Sequence, residues 1–209
     1  MNVLITGFEK FSTFKVNPSE MIARRLDRRT IGKSDIKGVV LPVIYEDALE
    51  RLSLLLSERR WDLVLSLGLN PNIGWIALER YAHNIKESEV PDERGVIASG
   101  EEVVSGGETV LISNLPLERV RDRLREEGIP ARISYSAGAY LCNSVFYYVL
   151  YKILKYGGRG GFIHIPLNTE YVAREVKYYG KCHMPIDTLQ KAVEIAIETT
   201  LQEGEERSV

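Results

Sequence analysis

Only a few side chains in this chain combine a reactive type with a position that suits chemistry. Cys142 sits in Ser136-Ala137-Gly138-Ala139-Tyr140-Leu141-Cys142-Asn143, where a glycine-containing loop gives way to an apolar stretch of helical length. A thiol at a helix start meets unpaired backbone N–H groups and the positive end of the helix dipole, both of which favour a thiolate. The same N–H groups suit the oxyanion of a tetrahedral intermediate. The competing and commoner role for a lone cysteine is that of a small buried hydrophobe. His164, in Gly161-Phe162-Ile163-His164-Ile165-Pro166, stands near the end of a short apolar run. In a parallel α/β sheet that position faces the ligand crevice, so His164 is a candidate base; otherwise it is a core imidazole. Glu79, after Ile76-Ala77-Leu78 and before Arg80, either pairs with a surface base or orients an imidazole as the third member of a triad.

Other groups are weaker candidates. His83 and His183 lie in polar stretches, and histidines scattered among two cysteines show no metal-ligand spacing, so no metal site is expected. The loop Gly7-Phe8-Glu9-Lys10-Phe11 continues into neither a dinucleotide fingerprint nor a phosphate loop, which makes a nucleotide site a poor reading. Its aromatics, Phe8 and Phe11, suit the wall of an apolar pocket or ordinary core.

The elements that must position these groups follow from periodicity. Apolar runs at residues 3–6, 38–43, 63–67 and 162–165 read as strands, the third closed by Gly68, and residues 76–84 and 131–134 as further extended segments. Asn17-Pro18-Ser19-Glu20 carries a cap and a first-position proline, so a helix opens there. Residues 46–60, 116–127, 141–155 and 186–202 have helical stripes, the second ended by Gly128. Residues 85–108 are polar and glycine-dotted, which suits a lid, an arm or a small hairpin. Strands alternating with helices predict an α/β fold, a three-layer α/β/α sandwich on a mostly parallel twisted sheet. A length of 209 residues predicts a single domain over 1–209.

Composition narrows the function classes. The net charge is -2, and the basic run Arg24-Arg25-Leu26-Asp27-Arg28-Arg29 is broken by an acid, so it reads as a solvated helix end and no nucleic-acid partner is expected. No stretch of about 18 apolar residues is present, so no membrane span is expected either. Two cysteines make no disulfide framework, and a cytoplasmic location is the natural expectation.

Taken together, Thr6-Gly7-Phe8-Glu9 with Phe11, Asn17-Pro18-Ser19, Leu41-Pro42-Val43, Gly68-Leu69, Glu79-Arg80, Ser136-Ala137-Gly138 with Tyr140-Leu141-Cys142-Asn143, and Phe162-Ile163-His164-Ile165-Pro166 resemble the pyroglutamyl peptidase I family, in family order along nearly the whole chain. The resemblance implies a cysteine peptidase that removes an N-terminal pyroglutamyl residue from peptides. It implies Cys142 as nucleophile, His164 as acid–base and Glu79 as triad carboxylate. Phe8, Phe11, Tyr140 and Leu141 become the candidate walls of the ring pocket. No cofactor is implied, and homo-oligomers (dimers or tetramers) are common in the family. The chain departs from the family pattern at Lys10, Ser12 and Thr13 in the first loop, at Asn72, Ile73 and Trp75 after Gly68, and at Ala77, Tyr81 and His83 around the acid. These departures leave open a related cysteine amidohydrolase with altered ring specificity. A non-catalytic binding protein on the same scaffold is the remaining alternative, and retention of all three triad residues argues against it.

Overall fold

The computed structural model describes residues 1–206. Its centre is a seven-stranded sheet built from β1 (Asn2–Phe8), β2 (Thr30–Ile31), β3 (Ser34–Leu41), β4 (Leu63–Leu69), β5 (Ile76–Glu79), β6 (Ala131–Ser134) and β7 (Arg159–Ile165), in the order β6-β5-β7-β4-β1-β3-β2. Strands β3, β1, β4 and β7 are mutually parallel. They form the middle of the sheet, and every residue of β4 is buried, as expected for a strand covered on both faces. The two margins depart from parallel order. β2 turns back against β3, and β5 and β6 form a parallel pair that runs antiparallel to β7.

Helices cover both faces, which gives the expected three layers. Helices α1 (Pro18–Leu26), α3 (Leu117–Glu126) and α6 (Ile186–Glu206) pack their apolar stripes on one face, among Ile5, Leu65, Ile163 and Leu78. Helices α2 (Tyr45–Glu58) and α4 (Leu141–Ile153) cover the other, among Leu4, Val64 and Phe162; a short helical turn, α5, spans Thr169–Val172. Asn17 caps α1 by accepting from Ser19 N–H at 3.0 Å, and Pro18 occupies the first turn. Glu20 does not reach back to the cap; it pairs with Arg24 one turn on. Helix α3 ends at Gly128, whose φ of 72° lets Ile129 N–H return to the Leu124 carbonyl at 2.8 Å.

Two segments differ from their sequence reading. β4 does not stop at Gly68 but runs on to Leu69. The stretch 76–84 is not one strand: it leaves the sheet at Arg80, and Tyr81–His83 pairs instead with Val110–Ile112. Residues 85–108 form an arm in which Lys86–Glu87 pairs antiparallel with Ser99–Glu101. Buried Asp92 fixes the arm by accepting from the backbone N–H groups of Tyr45, Arg94 and Val96. It thereby supplies the cap that α2 lacks at its own first residue. Burial opposes ionisation of Asp92, but these three donors and the Arg94 guanidinium hold its carboxyl below the usual range.

Candidate active site

The three residues singled out for chemistry meet at the carboxyl ends of β4 and β7, on the face covered by α4. Side chains alternate along a strand, and residues directly opposite on paired strands share a face. His164 on β7 is opposite Gly68 on β4 and Ala77 on β5, while Glu79 is opposite Phe162. Phe162 and His164 therefore share a face with Ala77 and Glu79. His164 Nδ1 lies 2.8 Å from Glu79 Oε1, and both residues are buried. Glu79 does not pair with Arg80, the commoner fate of such an acid; Arg80 turns outward to Glu118.

Cys142 is the second residue of α4, and its thiol closes on β4 at Gly68, the position opposite His164. The close approach depends on Gly68. A Cβ built there would stand 2.9 Å from Cys142 Sγ and 2.8 Å from the Phe162 ring, inside van der Waals contact. The helix start is held by Asn143, fully buried. Its side chain accepts from His83 N–H at 2.9 Å and donates to the His83 and Ile85 carbonyls at 2.8 and 2.9 Å. Tyr140, the N-cap residue, makes no capping bond with its side chain, so the first-turn amides of α4 have no such acceptor.

The electrostatics follow from this contact. Burial alone would push the His164 pKa down. The charge and hydrogen bond of Cys142, followed by the hydrogen bond and charge of Glu79, overcome burial and raise it to about 10. Flanked by two acidic groups, the imidazole is favoured in its charged form.

A cleft of about 600 Å³ opens above the three residues. Phe8, Phe11, Tyr140 and Leu141, which the resemblance offers as walls of the ring pocket, all line it. Phe14, which the sequence reading passed over, lines it too, its ring 5.5 Å from that of Phe11 and 5.4 Å from that of Tyr178. The visible signal was a further aromatic three residues past Phe11. Of the positions that depart from the resemblance, Ile73, Trp75 and Ala77 face the cleft, whereas Lys10, Ser12, Thr13, Asn72, Tyr81 and His83 are outside its lining. Ser12 adopts a left-handed φ of 53°, a conformation that favours glycine, and its N–H donates to Glu93 Oε1 at 2.7 Å. That bond ties the first loop to the arm. Burial, with the nearby charges of Asp92 and Cys142, raises the Tyr140 phenol to about 12, and its hydroxyl donates to the Pro91 carbonyl.

Among the described residues, no cluster of three or more His, Cys, Asp or Glu side chains could hold a metal ion, and no helix is long and apolar enough to cross a membrane. Cys142 and Cys182 are both free thiols, Cys182 being exposed.

Comparison with known proteins matches residues 1–203 to the pyroglutamyl peptidase family. The chain is 38% identical over 201 residues to pyrrolidone-carboxylate peptidase 1 of Saccharolobus solfataricus, covering 96% of this chain and 94% of that one. It is 39% identical over 209 residues to the pyrrolidone-carboxylate peptidase of Pyrococcus furiosus, covering 97% and 99%. The solved structure of the Thermococcus litoralis pyrrolidone carboxyl peptidase superimposes with a TM-score of 0.92 at 37% identity, over 99% of this chain and 96% of that one. A mutant of the Pyrococcus furiosus enzyme gives 0.93 at 38% identity, over 97% and 99%.

Proposed function

The chain belongs to the pyroglutamyl peptidase family, and from that premise we propose that it hydrolyses the amide bond following an N-terminal pyroglutamyl residue, with Cys142 as nucleophile, His164 as acid and base, and Glu79 as the group that orients His164. The observation that carries the reading is the buried His164, bonded to Glu79 at 2.8 Å and lining one apolar cleft with Cys142.

The steps follow from this geometry. The Cys142 thiolate attacks the carbonyl carbon after the ring, and the carbonyl π electrons move to oxygen. The resulting oxyanion faces the first-turn amides of α4. His164 gives its proton to the amine nitrogen as the C–N bond breaks, leaving a thioester on Cys142. It then takes a proton from water, whose oxygen attacks the thioester and frees the thiolate. Glu79 keeps Nδ1 occupied so that Nε2 faces the thiol. These steps draw on no metal and no organic cofactor. Phe8, Phe11, Tyr140 and Leu141 suit a neutral lactam ring. A free N-terminal ammonium would lose hydration among them without a partner.

Ile73 and Trp75 in the cleft lining support one competing version, the same cysteine chemistry on a different ring. Hydrolysis of fluorogenic pyroglutamyl and prolyl amides by wild type and Cys142→Ala, under reducing conditions, separates the two. The expected result is turnover of the pyroglutamyl amide alone, lost in the variant. Comparable rates on both amides would refute the ring pocket, and turnover surviving in Cys142→Ala would refute the nucleophile. Iodoacetamide at neutral pH should also label half-buried Cys142 before exposed Cys182, the reverse of their accessibility.

We read the chain as one catalytic domain; a single sheet shared by both apolar cores supports this. Two free thiols fit a reducing cytoplasm. Exposed Val90, Val96 and Ile97 on the arm, with Val110 and Ile112 nearby in sequence, support a homo-oligomer, and light scattering across a dilution series tests it.

A further inference from the structure

This inference rests on the reading above and extends it to the leaving peptide. Gly68, His164, Ala77 and Arg132 stand opposite one another on β4, β7, β5 and β6, in one row across the sheet. All four share the face that carries the cleft. The row gives the cleft a direction. Phe8 belongs to β1, on the far side of β4 from His164. His164 must stand on the side of the scissile bond where the amine departs, because it protonates that nitrogen. The ring therefore lies toward β1, and the peptide beyond the bond runs from His164 over β5 toward β6. Strands are about 4.8 Å apart, which puts the Arg132 backbone about 10 Å beyond that of His164. An extended peptide advances about 3.5 Å per residue, so with the arginine's own reach the first two leaving residues pass within range of it.

Arg132 differs from the other arginines near this end of the sheet. Arg80 pairs with Glu118, and Arg94 holds Asp47 by two 2.8 Å bonds. Arg132 is exposed, lines the cleft, and makes neither an ion pair nor a side-chain hydrogen bond among the described residues. Its guanidinium carbon lies 5.4 Å from the centre of the Trp75 ring, which also lines the cleft. Stacking on an indole steadies the guanidinium plane and leaves its N–H edge free for a planar, bidentate acceptor. We propose that Trp75 and Arg132 form a subsite for a carboxylate carried by the first two residues of the leaving peptide, either an acidic side chain or the free C-terminus of a short substrate. Trp75, a departure from the family resemblance at the ring pocket, is then a specificity residue on the leaving side.

The test compares kcat/KM within two substrate pairs. One pair is pyroglutamyl-glutamyl-alanine amide and its glutaminyl counterpart; the other is pyroglutamyl-alanine with a free and with an amidated C-terminus. Charge-assisted bidentate contacts are strong, and solvent exposure reduces them, so wild type should favour the carboxylate member of at least one pair by about five- to twentyfold. The responding pair identifies whether the side chain or the terminus is read. The ratio should fall to about one in Arg132→Gln, invert in Arg132→Glu, and persist in part in Arg132→Lys. In wild type it should shrink as salt is raised, which holds even if a variant fails to fold. Turnover of all four substrates without charge preference overturns the subsite and leaves the pyroglutamyl reading standing. A preference that survives Arg132→Gln overturns the assignment to Arg132. Failure to cleave any of the four sinks both readings together.

Discussion

Replacing Gly68 with alanine adds one methyl group where Cys142 and Phe162 close on β4 and tests whether the site works by close approach. The new Cβ would lie 2.9 Å from Cys142 Sγ, 2.8 Å from Phe162 Cζ and 3.0 Å from Phe162 Cε1. Carbon atoms in contact prefer about 3.5–4.0 Å, so one or both neighbours must retreat by about 0.7 Å or more. Phe162 is fully buried and tilted against Phe146 at 5.8 Å, leaving its ring little room to yield. The thiol lies at the cleft and is only half-buried, so most of the displacement should fall on Cys142. A misplacement near 1 Å costs about 10² in rate, and kcat on a pyroglutamyl amide should drop by about that factor. Overpacking should also cost about 1–3 kcal/mol, or a Tm lower by about 2–12 °C at this size. Steady-state kinetics, thermal melts and the rate of Cys142 alkylation measure the separate parts. Wild-type kcat in Gly68→Ala with Tm unchanged would refute the reasoning, because the methyl would then have found space that the packing denies it. A lower Tm with undiminished kcat would mean that Phe162 moved and the thiol did not.

Three further outcomes follow from the same geometry. Glu79→Gln replaces the acceptor at His164 Nδ1 with an amide, so kcat should fall by about 10²–10⁴ and the alkaline limb of kcat/KM should move to lower pH; an unmoved limb would remove Glu79 from the triad. Because the His164 pKa is raised from 6.5 to about 10, its stabilising contribution is complete below the lower value and is lost as pH rises through the higher. The Tm advantage of wild type over Cys142→Ser should accordingly narrow between about pH 6.5 and about pH 10, and a constant difference would contradict the paired charges. Asp92→Ala deprives the arm and the start of α2 of a shared acceptor. Loss of a cap costs about 0.5–2 kcal/mol, so Tm should fall by about 1–8 °C; a Tm equal to wild type would show that the arm is anchored elsewhere.

How much of this was legible beforehand depended on whether the signal was local. The helices announced themselves through apolar stripes and through end signals such as Asn17-Pro18 and Gly128, because caps and periodicity act within a few residues. The buried strands read equally well as short apolar runs. Residues 76–84 misled because a strand leaving one sheet for another keeps its extended pattern; only the partner strands, β7 on one side of Arg80 and Val110–Ile112 on the other, mark the division. Gly68 looked like a strand terminator, since glycine is usually read by its own backbone. Its function lies in the space it leaves for an atom of residue 142.

The same distinction holds for the site. Residue types and local placement nominated Cys142 at a helix start and His164 at a strand end, and those two facts sit in the sequence alone. The order of motifs along the chain chose between the two open readings of Glu79 and pointed to the family. The sequence alone could not say that an acid 85 positions from a histidine would meet it at 2.8 Å. Nor could it show that Arg132 would stack on Trp75 in the same cleft, or that an aspartate on a polar arm would cap a distant helix. Those contacts depend on strand register and on which face of the sheet each side chain takes. Both are set by the packing of the whole core, because a slip of one residue would send every side chain of a strand to the opposite side.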